Sequence, residues 1–147
     1  MDLHSWLSLM FKVTGKGLLL LLFLLFSISQ SYADKVLYHI HSIDQKSYRR
    51  LIINIENLQS GMADRELEIK LLFQGKSIQL LNPSMQSRAL NQRFNKLLLS
   101  GISIEIEKEN FLRNLSSIQL DPPPQLVENI FSRIVELQKQ GYLYITP

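Results

Sequence analysis

Hydrophobic positions fall into two alternating rhythms along most of the chain. "KVLYHIH" (35–41) alternates with a period of two, so Val36, Tyr38 and Ile40 point one way and Leu37, His39 and His41 the other. Asp44 offers a helix N-cap, and Tyr48, Leu51, Ile52, Ile55 and Leu58 follow at helical spacing until Gly61 closes the segment. "ELEIKLLF" (66–73) returns to the strand rhythm, with Leu67, Ile69, Leu71 and Phe73 on one face. "QGKS" turns the chain. Ser84 is placed to cap a second long helix with an inner face of Leu90, Phe94, Leu97 and Leu98, ended by Gly101. "ISIEIE" (102–107) reads as a third strand, and a short helical turn is expected around Leu112–Ser116. Asp121-Pro122-Pro123-Pro124 forces an extended path, after which "QLV" (125–127) reads as a fourth short strand. Ile130, Ile134 and Leu137 line a last helix that stops at Gly141, and "YLYIT" (142–146) is a closing strand.

Steady alternation of strand and helix predicts an α/β domain with a mainly parallel sheet. One detail strains that reading. Central parallel strands are usually apolar on both faces. Here Glu68 and Lys70, and again Ser103, Glu105 and Glu107, sit opposite the apolar positions. One face of the sheet is therefore expected to be thinly covered, or to lie near an edge or a subunit contact.

The N-terminal segment follows neither rhythm. The run from Gly17 to Ile28 is twelve residues long and apolar all round. A membrane span needs roughly 20 residues, whereas a signal-peptide core needs roughly 7–15. Lys12 and Lys16 precede the run, and Ser31-Tyr32-Ala33 offers small residues where a signal peptidase requires them. The expected organisation is a signal peptide over 1–33 and one domain over 34–147. The alternative is an uncleaved N-terminal anchor, helped by the apolar "WLSLMF" upstream. The periplasm is the expected location, and a membrane is reached only through an uncleaved leader.

Charge and composition narrow the chemistry. Removing Lys12, Lys16 and Asp2 with the leader takes the 16 basic and 13 acidic residues to 14 and 12. Such a balance does not point to nucleic acid. The chain has no cysteine, which excludes disulfides, thiolate metal sites and thiol nucleophiles. No Ser/His/Asp order, phosphate loop or dinucleotide fingerprint is present, and no cofactor is implied.

The ends of the domain are similar to the DsrE/DsrF-like family, in its small exported branch. "ADKVLYHI" followed by "SID" resembles that family's opening strand and turn, and "LQKQGYLYITP" its closing helix and strand. "LLFQGKSIQLL" (71–81) and "GISIEI" (101–106) resemble its second strand with glycine turn and its third strand. The resemblance implies a three-layer α/β/α fold around a parallel sheet of about five strands. It also implies a trimeric or hexameric homo-oligomer and, in well-known members, a role in sulfur transfer; a DsrE-like paralogue enters as a partner only on the alternative of a mixed oligomer. In many members a cysteine follows the third strand; the corresponding residue here is Glu107. A His-Gly-Pro-Gly turn becomes Gln74-Gly75-Lys76-Ser77. A carboxylate cannot hold a persulfide, so the reading is a noncatalytic domain that binds a ligand or a partner. The alternatives are a sulfur-metabolism enzyme or carrier acting without a thiol, and a structural subunit of a mixed oligomer.

Ligands of open α/β sheets sit beyond the carboxyl ends of the strands. Those ends carry His41, Ser42 and Asp44, then Gln74, Gly75 and Lys76, then Glu107, Lys108 and Asn110. From these, His41, Asp44, Gln74, Gly75, Lys76, Glu107 and Asn110 form the candidate ligand-binding set, against the plainer reading of ordinary turn residues. Glu107 is expected either to accept a hydrogen bond or to pair with Lys76 or Lys108. His39 and His41 share a strand face at a spacing that can bind a metal beside a carboxylate, but His39 reads more simply as a hydrogen-bonded residue under a helix. Glu105, Glu107 and Glu109 share one face if the third strand continues, and read as a solvated acidic face.

Overall fold

The structure, a computed structural model, describes residues 33–41, 44–114 and 120–147. Residues 1–32, where nearly all of the expected signal peptide falls, lie outside the described residues, as does Ser42. Five strands form one parallel sheet in the order β4-β3-β2-β1-β5. They are β1 (Asp34–Ile40), β2 (Leu67–Phe73), β3 (Ser103–Glu107), β4 (Gln125–Val127) and β5 (Leu143–Ile145). Between them run α1 (Gln45–Gly61), α2 (Arg88–Leu99), the short α3 (Lys108–Asn114) and α4 (Ile130–Lys139). Helices cover both sides of the sheet, so the domain has the expected three-layer α/β/α architecture.

The two faces are built differently. On one, here the front, Val36, Tyr38 and Ile40 of β1, Ile69, Leu71 and Phe73 of β2, and Ile104 and Ile106 of β3 meet α1 and α2. Helix α1 buries Tyr48, Leu51, Ile52 and Ile55, and α2 buries Leu90, Phe94, Leu97 and Leu98, which are the helical stripes legible in the sequence. Full burial of one such Leu, Ile or Phe contributes about 1.5–3 kcal/mol. On the back face α4 is the helix that packs among the described residues, with Ile130, Ile134 and Leu137 against Leu37, Leu72, Val127 and Tyr142. Among those residues the cover of this face is thin, as the polar positions suggested.

Asp44 caps α1 as expected, its carboxylate accepting from the Ser47 amide at 2.9 Å and the Lys46 amide at 3.2 Å. Gly101 and Gly141 end their helices at φ 99° and 91°, a region that other residues enter only with strain. Three local expectations are corrected. The cap of α2 is Ser87, whose Oγ accepts from the Leu90 amide at 3.3 Å, and not Ser84. Pro83 starts a separate 3-10 helix, Pro83–Met85, and the Ser84 hydroxyl is turned back onto Asn82 Oδ1 at 2.8 Å. The segment after Gln74 is a seven-residue 3-10 helix, Gly75–Leu81, that buries Ile78, Leu80 and Leu81. The short helix after β3 begins at Lys108, directly where the strand ends.

A fourth correction concerns the glutamates. They do not share a solvated face. Glu105 is 0% exposed on the back face of β3. Glu109 is on α3, where it pairs with Arg113. The Arg133 guanidinium of α4 donates to Glu105 through Nε at 2.6 Å and Nη2 at 2.9 Å. Lys70 Nζ lies 3.3 Å from the same carboxylate. Burial alone would raise the Glu105 carboxyl; the Arg133 bonds and charge, with Lys70, outweigh it and hold the group below its ordinary value. Around this pair, Arg133 also reaches Glu136 at 3.2 Å, Lys70 reaches Glu68 at 3.7 Å, and the Tyr142 hydroxyl donates to Glu68.

Candidate functional site

The winding of the sheet reverses at β1. Strands β2, β3 and β4 are added on one side of it, and β5 on the other. The chain leaves β1 into α1 on the front and reaches β5 from α4 on the back. A crevice beyond the carboxyl ends of the strands at such a reversal is where open α/β sheets place their ligands.

His39 occupies that point. It is a back-face residue near the end of β1 and only 5% exposed. Its Nε2 lies 2.8 Å from Gln74 Oε1 and its Nδ1 2.8 Å from the Tyr144 hydroxyl. An amide oxygen can only accept, so Nε2 carries the proton. Nδ1 meets the Tyr144 hydroxyl, which donates to it when the ring is neutral. Burial pushes the imidazole below its ordinary value; the Gln74 bond works against this and the neighbouring His41 adds to it. His39 is therefore an oriented hub that joins the end of β1 to β2 and β5. A metal at Nδ1 or Nε2 would have to displace Tyr144 or Gln74, and no group of three or more metal-ligating side chains occurs among the described residues.

Three rings surround the hub. The His41, Tyr144 and Phe131 ring centroids lie 5.5, 5.9 and 6.5 Å from that of His39, and Phe131 meets it edge-on at 81°. All three are exposed, Phe131 by 61% and Tyr144 by 40%.

Of the sequence-predicted residues, His41 and Gln74 belong to this cluster. The Gln74 amide also donates to the Ile40 carbonyl at 2.9 Å, and the Ser77 hydroxyl donates to that carbonyl at 2.7 Å, which fixes the end of β1. Gly75 takes φ 60° as the 3-10 helix begins, a conformation that favours glycine. Lys76 is exposed on that helix. Glu107 and Asn110 form a pair of their own, with Asn110 Nδ2 donating to Glu107 Oε2 at 2.6 Å. The pairing of Phe73 with Ile106 puts Gln74 and Glu107 one register step further on, at neighbouring strand ends. Of the two roles expected for Glu107, the structure shows the hydrogen-bond acceptor, with Asn110 as donor, while Lys108 pairs with Glu128 at 3.1 Å. Asp44 serves as the cap of α1, and its carboxyl is held below the ordinary value first by the hydrogen bonds from Ser47.

Tyr144 and Phe131 escape a reading of the sequence, as does the Glu105–Arg133 pair. "YLYI" does signal a strand with a hydroxyl-bearing ring on it, but only the strand order sets β5 beside β1. Clefts elsewhere are surface features. One of about 320 Å³ lies among Leu80, Leu81, Phe94, Asn95, Leu98 and Asp121, and one of about 390 Å³ among Val127, Ser132, Arg133 and Glu136.

No family model and no curated protein matches the chain. The fold is similar to the solved structure of a protein of unknown function from Methanobacterium thermoautotrophicum, at 24% identity and a TM-score of 0.59, covering 78% of this chain and 99% of that one. That likeness extends to the fold alone.

Proposed function

We propose that this chain is a noncatalytic binding domain of the small exported DsrE-like kind, and that it holds a small polar ligand where β1 and β5 meet. The observation that carries the reading is the buried His39, held in one tautomer by Gln74 and Tyr144 at the point where the sheet order reverses. The two bonds satisfy the buried imidazole and at the same time hold the rings around it in fixed positions, as a preorganised binding site requires. Export rests on the apolar run Gly17–Ile28 and on Ser31-Tyr32-Ala33. Among the described residues no helix is long and apolar enough to cross a membrane. The link to sulfur metabolism rests on the sequence resemblance. With no cysteine in the chain, the site takes its ligand without a covalent sulfur intermediate.

The test is to incubate the pure protein with a labelled persulfide donor and, separately, with candidate small molecules. Noncovalent retention with no thiol-releasable label supports the reading. Stoichiometric, thiol-releasable label overturns it and favours a thiol-independent sulfur carrier.

A second reading is favoured by a different observation. The edge strand β5 exposes Leu143 by 66%, Tyr144 by 40% and Ile145 by 37%, and α4 beside it exposes Phe131 and Val135. Edge strands of this composition are templates for pairing. On this reading the chain is a structural subunit of a homo-oligomer, a trimer or hexamer, or of a mixed oligomer with a paralogue. Light scattering at micromolar concentration tests it: a multiple of the monomer mass supports assembly, and a monodisperse monomer rules it out.

A further inference from the structure

We propose that the ligand of the strand-end site is a flat nitrogen heterocycle, held by stacking on Phe131 and His41 and by a hydrogen bond from Gln74. This inference rests on the ligand-binding reading above and names the class of ligand.

Four observations carry it. First, both ring nitrogens of the hub are already engaged, Nε2 by Gln74 and Nδ1 by Tyr144, and burial disfavours a charge on it. Second, no lysine or arginine hydrogen-bonds to, or stacks on, any of the four rings among the described residues. The lysines that stack on a ring, Lys35 and Lys70, do so on Tyr142. A bare oxyanion such as phosphate or thiosulfate would find no counter-charge in the ring cluster beyond His41. Third, three exposed rings stand around one buried ring at centroid distances of 5.5–6.5 Å. An exposed phenylalanine at a helix start gains nothing from water, whereas every heterocycle has a π-face that stacks on it. Fourth, Gln74 is half-buried and uses its side-chain oxygen on His39, which leaves its Nε2 amide to donate elsewhere. That amide is a donor suited to an in-plane ring nitrogen or carbonyl.

Adenine is the probe, with inorganic phosphate and thiosulfate as the contrasting oxyanions, and ring resonances of His41, Phe131 and Tyr144 are followed by NMR during titration. Adenine is expected to shift all three rings in a saturable way, and Phe131→Ala to weaken binding by about tenfold. Leu112→Ala, which removes a residue exposed to a similar degree on α3, should leave the titration unchanged. If an oxyanion saturates these resonances and adenine does not, the site binds a ligand but the ring class is wrong. If none of the three probes shifts them up to 10 mM (on the order of the weakest useful affinity), the inference is overturned. Retention of a molecule on the purified chain would then still leave the ligand-binding reading standing. If Phe131→Ala changes the oligomeric mass and leaves adenine binding intact, Phe131 belongs to a subunit contact and the inference is equally wrong.

Discussion

The two faces of this sheet solve the same problem by different means. The front is closed by two helices and a layer of Leu, Ile, Phe and Tyr side chains. Among the described residues the back is covered by one helix, α4, and its seven-residue apolar cluster is supplemented by a carboxylate with no exposure, held by Arg133 and Lys70. Burying a charge is costly unless it is paired and hydrogen-bonded. Glu105 meets both conditions, because the guanidinium approaches both of its oxygens. The difference teaches where specificity of packing comes from. Apolar burial would let α4 slide over the sheet, whereas a bidentate pair sets one position along β3. Among the described residues the ends of β1 and β5 carry the exposed rings of His41, Tyr144 and Phe131 around the buried His39.

The contrast is broken most severely at Arg133. Arg133→Ala leaves Glu105 buried without its main partner and should cost about 3–5 kcal/mol in urea unfolding. Replacing both, as Glu105→Leu with Arg133→Met, should return stability to within about 1.5 kcal/mol of the parent. If the single change costs no more than an ordinary surface substitution, the pair does not hold α4. On the front, Leu71→Ala should cost about 2–5 kcal/mol through the cavity it leaves, and that loss should not vary with pH.

Acid sharpens the comparison further. The folded Glu105 carboxyl titrates below its unfolded value of about 4.3. The unfolded chain thus binds the proton first. The stabilisation is complete above about pH 4.3 and is lost as pH falls through the folded value. The Glu105→Leu, Arg133→Met double variant should show a shallower loss over that range, followed by circular dichroism. His39 contributes in a higher window. Its imidazole is also lowered in the fold, so its contribution is present above about pH 6.5 and declines as pH falls below that.

The smallest expected effect is at the strand end. Tyr144→Phe removes the hydroxyl that donates to His39 Nδ1 and should cost about 0.5–1.5 kcal/mol. The His39 ring resonances should shift in the variant, read by NMR. Unmoved resonances would mean that Tyr144 does not orient the hub.

Much of the fold was legible in the sequence, because the front face obeys simple periodicity. Tyr48, Leu51, Ile52 and Ile55 mark α1, and the alternation in β1 and β2 names the residues that meet it. Glu105 was not legible. A polar residue alternating with isoleucines reads as solvated, and its burial depends on α4 crossing the back of the sheet between β4 and β5, which no local pattern encodes. Ser84 and Ser87 are equally good caps by type; Pro83 and the Asn82 side chain decide between them by holding Ser84 in a separate turn. At the candidate site, His41 and Gln74 were visible as strand-end residues. Tyr144 and Phe131 became neighbours of His39 only through strand order and the placement of α4.

The central claim is that the open end of the back face, at β1 and β5, is a binding site. Native mass spectrometry of the full chain as its own cells process it tests this most directly, run beside a Phe131→Ala, Tyr144→Ala variant purified in the same way. The account predicts a noncovalently retained small molecule on the parent that is lost from the variant. A parent protein that carries no retained mass, or a variant that keeps the same molecule in the same proportion, would contradict it.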